Sequence, residues 1–390
     1  MTGATATRRR PRTTFHPLTV AAVDELTDDA VAVSFAVPDG LREVFAFKPG
    51  QHLTVRMTAV ADGAPPPQSP SLARTSAPAD QEIRRSYSIC STPADLHGLG
   101  LVRIGVREIA GGAFSAYARR ALRAGDTVEV LPPLGHFTTP LDPTRTRHYA
   151  AIAAGSGITP VLSLMATALA TEPRSRFTLL FGNRRAASVM FADEVADLKD
   201  RYPDRLHVVH LLSREPQLSP LLSGRLDGAR LRAVLDAGLI DAPAVDEWFL
   251  CGPYGMVMDA RGVLAERGVA DKAVHTELFH VEGEPVPPAP RRDDAGGGDT
   301  TTVTIVLDGR ESTFGMAADE RVLDAALRVR SELPYACKGG VCSTCRARLV
   351  EGKVAMVANY ALEPDELAAG YVLTCQSRPL SDRLVVDYDA

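Results

Sequence analysis

Tryptophan occurs once in the 390 residues and histidine nine times. Neither sign of charge dominates: 43 lysines and arginines face 48 aspartates and glutamates, for a net charge of −5. That balance gives no electrostatic reason to expect nucleic acid or an anionic membrane as a partner. Hydrophobic residues make up 45% and charged residues 23%, which excludes the disordered and fibrous classes. No internal repeat is found. Arg8-Arg9-Arg10 is not followed by an apolar stretch, so no signal peptide is expected and the chain reads as soluble and cytoplasmic. The uncharged segment 149–171 is long enough for a membrane span. Gly155, Ser156, Gly157, Thr159 and Pro160 interrupt it, and it reads as strand, turn and helix.

The length allows two or three domains of roughly 100–200 residues. Residues 1–14 read as a disordered tail. From 15 to 140, short alternating runs such as Val31-Ala32-Val33-Ser34-Phe35, His52-Leu53-Thr54-Val55, Leu101-Val102-Arg103-Ile104 and Val128-Glu129-Val130 predict a small antiparallel barrel. Segment 61–84, with Pro65-Pro66-Pro67, reads as an insertion without structure of its own. Between 146 and 281, apolar runs at 149–153, 177–181, 207–212 and 248–250 alternate with helical patterns at 161–170, 193–201 and 255–267. This predicts a parallel sheet covered by helices. Segment 282–300, with several prolines and Gly296-Gly297-Gly298, reads as a linker. Residues 301–390 form a third compact unit.

That last unit carries Cys337, Cys342, Cys345 and Cys375, spaced C-x4-C-x2-C with a distant fourth. This is the plant-type [2Fe–2S] spacing. Three thiolates on one loop can wrap the cluster and the fourth closes it from another element. Gly339 and Gly340 let backbone N–H groups approach the sulfurs. The unit contains no histidine, which excludes a Rieske centre. A structural zinc site would more typically pair two C-x2-C knuckles, and only one is present.

Two further constellations suit nucleotides. Gly155-Ser156-Gly157-Ile158-Thr159-Pro160 joins a strand to a helix, where free N–H groups can receive a pyrophosphate. Pro160 stands where the dinucleotide fingerprint has its third glycine, so an ordinary strand-to-helix turn is the competing reading. Cys251-Gly252-Pro253 follows the fourth strand of the same unit, at the sheet edge where open α/β sheets bind ligands; Cys251 reads equally as a small buried hydrophobe. Ser213-Arg214, after the third strand, suits the 2′-phosphate of NADP or is a solvated loop pair. In the barrel, Arg85-Ser86-Tyr87-Ser88 offers a guanidinium for a pyrophosphate, a flat ring for a flavin and a hydroxyl for its N5, or is an ordinary strand. Gly111-Gly112-Ala113-Phe114-Ser115 precedes a helix at 116–122, an anion-ready start or a loop with a serine cap. Together these two suit one flavin dinucleotide.

The order of these motifs resembles the ferredoxin–NADP reductase superfamily fused to a C-terminal plant-type ferredoxin. Within that group the chain is most similar to the reductase subunits of phenylacetyl-CoA epoxidases. The likeness rests on Arg85-Ser86-Tyr87-Ser88-Ile89-Cys90-Ser91, Tyr335-Ala336-Cys337-Lys338-Gly339-Gly340-Val341-Cys342, Gly370-Tyr371-Val372-Leu373-Thr374-Cys375-Gln376-Ser377 and, most discriminating, Asn359-Tyr360-Ala361-Leu362-Glu363. It implies a multidomain fold: an antiparallel β-barrel for FAD, an α/β parallel-sheet domain for NADP, and an α+β β-grasp domain for [2Fe–2S].

Carried over by position, the resemblance implies FAD on Arg85, Tyr87, Ser88, Gly112, Phe114, Ser115 and Phe279. It implies NADPH on Gly155, Gly157, Thr159, Pro160, Ser213, Arg214, Cys251, Gly252 and Pro253. Tyr87, Ser88, Cys251 and Glu277 would surround the reacting rings, and the four cysteines would hold the cluster. The implied partner is an oxygenase, with a multisubunit di-iron epoxidase favoured. A reductase for a Rieske-type ketosteroid hydroxylase is the nearest alternative, and a redox sensor or electron-storage module is one of another class.

Overall fold

The computed structural model describes residues 14–58, 82–279 and 300–390. The expected tail up to residue 13, the insertion from 61 to 81 and the linker from 282 to 299 lie outside the described residues.

The first sheet is antiparallel: β1 (His16–Thr27), β2 (Ala30–Ala36), β3 (His52–Thr58), β4 (Glu82–Ser88), β5 (Leu101–Arg107) and β6 (Thr127–Val130), in the order β4-β3-β6-β1-β2-β5. Alternation puts Leu18, Val20, Val33, Phe35, Leu53, Val55, Ile104 and Val130 into one core. Helix α1 (Pro93–Leu99) is closed by a capping box between Thr92 and Asp95, and α2 (Ala113–Arg120) follows Gly112. One expectation is corrected here. Residues 82–84, read as the end of a structureless insertion, belong to β4, which pairs with β3 from Glu82↔Thr58 to Ser88↔His52. Their alternation of charged and apolar residues is that of a strand with one face turned to a partner.

The second sheet is all parallel: β7 (His148–Ala154), β8 (Arg176–Asn183), β9 (Leu206–Leu212), β10 (Glu247–Cys251) and β11 (Val274–Glu277), in the order β11-β10-β7-β8-β9. Helices α3 (Ile158–Thr171), α4 (Ala192–Arg201), α5 (Gly228–Asp236) and α6 (Tyr254–Glu266) cover it. The uncharged segment is the expected strand, turn and helix. Among the described residues no helix is long and apolar enough to cross a membrane.

The third unit pairs β12 (Thr300–Leu307) with β13 (Arg310–Ala317) as a hairpin, then α7 (Val322–Leu327), β14 (Arg346–Glu351), β15 (Val354–Met356), α8 (Pro364–Ala368), β16 (Tyr371–Leu373), β17 (Ser377–Pro379) and β18 (Arg383–Asp387). Its main sheet runs β13-β12-β18-β14-β16, with β12 and β18 parallel. Val322, Leu323, Ala325 and Ala326 of α7 bury against Val303, Ile305, Leu384 and Val386 of the sheet, the β-grasp arrangement. The fold class is the one expected.

Candidate active site

Two cross-strand pairs meet where the barrel touches the parallel sheet. His52 and Ser88 are direct partners on β3 and β4, and Cys251 and Glu277 are direct partners on β10 and β11. The Ser88 hydroxyl and Glu277 Oε2 are hydrogen-bonded at 2.9 Å, and His52 Nδ1 lies 4.0 Å from Glu277 Oε1. Burial pushes the Glu277 carboxyl up to about 8, only partly offset by the Ser88 hydroxyl. Burial, with His136 nearby, pushes His52 down to about 4. At neutral pH the two are therefore an uncharged pair: a carboxyl holding a proton beside a neutral imidazole. Burial, then the nearness of Glu277, raises the Cys251 thiol well above its usual range.

The residues expected to hold a flavin run back from Ser88 along β4 and into the loop before α2. Tyr87 is raised by burial and packs on Phe114 at 5.4 Å between ring centroids. Phe114 is buried in the barrel core, so it braces Tyr87 from behind. Arg85 is exposed, and among the described residues no carboxylate pairs with it. Ser115 is buried, donates to the Gly112 carbonyl (3.1 Å) and accepts from the Ile109 N–H (3.3 Å), fixing the loop that opens α2. Phe279 lies exposed two residues beyond Glu277.

On the nucleotide side, Gly155 adopts φ 54° and begins a single 3-10 turn between β7 and α3. A side chain at Gly157 would sit 2.1 Å from the Cys251 carbonyl oxygen. Only glycine lets the two motifs, nearly a hundred residues apart, pack backbone to backbone. Thr159 and Pro160 are buried. The Thr159 hydroxyl donates to the Ser156 carbonyl (3.0 Å), so this pair shapes the turn. Gly252 is half-buried and Pro253 exposed at the mouth, while Ser213 and Arg214 are exposed past β9. The Arg214 N–H donates to the Arg184 carbonyl (2.8 Å), which brings exposed Arg184 and Arg185 to the same rim. Sequence reading missed those two arginines. The signal available was their place just after the second strand of a parallel sheet.

The four expected ligand cysteines converge as two pairs, Cys337 with Cys342 and Cys345 with Cys375. Among the described residues no three metal-binding side chains gather on a single point. Two thiols per position is what a two-iron centre takes, and the donor set contains no histidine. The Gly339 N–H donates to Cys337 Sγ at 3.3 Å, and the Gln376 amide donates to Cys375 Sγ at 3.5 Å. A hydrogen bond from the Cys342 thiol, helped by the Gly339, Val341 and Cys342 amides, pulls Cys337 down to about 5. The residues fit a [2Fe–2S] cluster.

This loop abuts the first site. One small cavity is lined by His52, His275 and Glu277 on one side and by Val341, Cys342 and Ser343 on the other. His52 Nε2 lies 3.4 Å from Thr344 Oγ1, directly between two cluster ligands. Sequence reading missed His52, which looks like an ordinary strand residue. Asn359 holds its own turn, bonding to the Leu362 N–H (2.8 Å) and carbonyl (3.0 Å), and this presents Tyr360 edge-on to Tyr254 of α6 at 5.6 Å.

Residues 305–380 match the family of 2Fe-2S iron-sulfur cluster binding domains, and residues 151–262 the oxidoreductase NAD-binding domain. The chain is 48% identical over 379 residues, 97% of its length and 99% of the other's, to one of the subunits of the 1,2-phenylacetyl-CoA epoxidase of Escherichia coli K12. It belongs to the ferredoxin-fused branch of the ferredoxin–NADP reductase superfamily. A second member of this family, the ferredoxin reductase component of 3-ketosteroid-9-alpha-monooxygenase from Rhodococcus rhodochrous, is 33% identical over 95% of the chain and 96% of the relative. Among solved structures, phthalate dioxygenase reductase shares the fold (TM-score 0.53, 22% identity, 96% of this chain and 98% of that one). The chain is an oxidoreductase that joins a nicotinamide-nucleotide-binding domain to a [2Fe–2S] domain.

Proposed function

We propose that the oxygenase is a multisubunit di-iron epoxidase acting on phenylacetyl-CoA, that the reductant is NADPH, and that the reaction is cytoplasmic. The observation that carries the mechanism is the shared cavity between Glu277 and the Cys342 loop. Glu277, bonded to Ser88, and His52 share this space with the cluster loop, which supports the reading. The units are taken as 15–140 for FAD, 146–281 for NADP and 301–390 for the cluster, with 282–300 joining the last two.

When bound, FAD would supply two-electron acceptance of one hydride and release of single electrons, and the cluster would supply one-electron transfer, so the chain would work as a two-to-one electron converter. The protein's part is positioning. Arg85 would hold the pyrophosphate with the Gly112 loop, and Tyr87, backed by Phe114, would cover a ring face. Ser88 would meet the ring edge, with Phe279 beside it. Glu277 holds a proton at neutral pH and can pass it through the Ser88 hydroxyl. Gly155, Gly157, Thr159, Pro160, Gly252 and Pro253 would shape the dinucleotide cleft, with Cys251 at its floor near the nicotinamide. Ser213, Arg214, Arg184 and Arg185 form a polar, basic rim suited to a 2′-phosphate.

The test couples NADPH oxidation to purified oxygenase components with phenylacetyl-CoA and analyses the product. Epoxidised CoA ester supports the reading. Turnover only with a ketosteroid hydroxylase, or faster with NADH, overturns the acceptor or the nucleotide respectively. Arg214→Asp should lower NADPH efficiency about tenfold, the worth of one charge-assisted hydrogen bond, while NADH is spared. An unchanged ratio contradicts the assignment of the rim.

A further inference from the structure

Arg84 is buried to 3% exposure although it carries a permanent charge. It sits beside Arg85 on β4, and strand alternation sends the two guanidinium groups to opposite sides. Arg85 is exposed. Arg84 faces the ferredoxin domain: one terminal nitrogen donates to the Leu333 carbonyl (2.9 Å), the other to the Ser331 carbonyl (3.3 Å). The guanidinium plane stacks 4.1 Å from the centroid of Tyr335 and 4.9 Å from that of Phe15, and its Nε donates to Glu82. Segment 331–335 leads straight into Cys337, the first cluster ligand.

We propose that Arg84 is the latch that seats the ferredoxin domain on the flavin barrel, making it a positioning residue for the electron step from flavin to cluster. The inference rests on the reading that NADPH reduces the flavin and the flavin then reduces the oxidised cluster one electron at a time.

The chemistry of the contact suits reversible seating. A planar fork satisfies two carbonyls and a ring face at once, and water can satisfy the same fork when the domain leaves. An apolar plug would have no such second partner. Conversely, removing the guanidinium leaves the Ser331 and Leu333 carbonyls facing an apolar wall, which disfavours the seated position. Arg84 lies on the far side of β4 from the expected nucleotide contacts, so its loss leaves hydride transfer intact.

The test uses full-length holoprotein carrying Arg84→Met or Arg84→Lys. Flavin reduction by NADPH and ferricyanide turnover, which draw on the flavin, should match wild type. Reduction of the cluster, followed by electron paramagnetic resonance after rapid mixing, should slow about tenfold or more in R84M and less in R84K, whose single ammonium reaches one carbonyl. Amide exchange across Ser331–Tyr335 should accelerate in R84M with iron content unchanged. Cluster reduction at the wild-type rate in a loaded R84M protein overturns the latch. Should R84M lose iron or FAD, R84K decides, and a wild-type rate there overturns it equally. A wild-type chain whose flavin is reduced by NADPH while its cluster stays oxidised would instead overturn the functional reading, and the latch with it.

Discussion

The loop of 337–345 faces Glu277 across one cavity, yet this loop and the strand ends at Ser88, Cys251 and Glu277 treat protons in opposite ways. In the loop, amide N–H groups converge on sulfur, and Cys337 is held as a thiolate with a pKa of about 5, the hydrogen bond from Cys342 contributing most. At the strand ends burial dominates and keeps Glu277 and Cys251 protonated. Cys90, buried in the same manner, is pushed up to about 12. The four expected ligand thiols divide by pair: Cys337 and Cys375 are lowered and Cys342 and Cys345 raised, the hydrogen bond inside each pair contributing most. What sets them apart from Cys90 and Cys251 is four thiols brought together with amide donors. The first region is built for permanent charge on a metal, the second for moving a proton.

Breaking the loop has the largest expected effect. Cys337→Ser should abolish the reduced-cluster resonance and cut electron delivery to the oxygenase by about a hundredfold or more, since the other three thiols cannot close the site. Flavin reduction by NADPH should persist. The contrast is sharpened by Glu277→Gln, which preserves shape and polarity but cannot release a proton. Flavin reduction should fall roughly tenfold to a hundredfold, within the range of a lost proton-transfer group. In wild type this rate should decline as pH rises through about 8, where Glu277 gives up its proton, while the Gln variant stays flat. The same shift has a stability consequence. Because the folded pKa lies above the unfolded value of 4.5, the contribution of the neutral carboxyl is complete below 4.5 and is lost as pH rises through 8. Smallest is Cys251→Ala: about 1 kcal/mol of stability from the lost buried sulfur, measured by denaturant unfolding, with cluster content unchanged.

Much of this was legible because it is local. The cysteine spacing needs only nine consecutive residues and one more, and the alternations of β2, β3 and β5 are visible strand by strand. The turn at Gly155 and the strand end at Cys251 could be read separately, but their backbone contact could not, since it depends on the missing side chain of Gly157. His52 and Arg84 were not legible. Each acts on a partner in the ferredoxin domain nearly three hundred or two hundred and fifty residues away, and neither alters the pattern of its own strand. Arg84 was further hidden by the proline- and serine-rich text that precedes it, which made the start of β4 look like loop. The segment Asn359–Glu363, singled out only by resemblance, has a structural reason: it turns Tyr360 onto α6 and so helps fix where the cluster domain rests.

The central claim is that electrons from NADPH would pass through a bound flavin to the cluster of the same chain. Anaerobic titration of the full-length protein with NADPH, read by flavin absorbance and cluster resonance together, tests it most directly. The account predicts two irons per chain, bleaching of the flavin, and a reduced-cluster signal that grows with added NADPH. Zinc in place of iron, or a flavin that bleaches while the cluster stays oxidised, would contradict it.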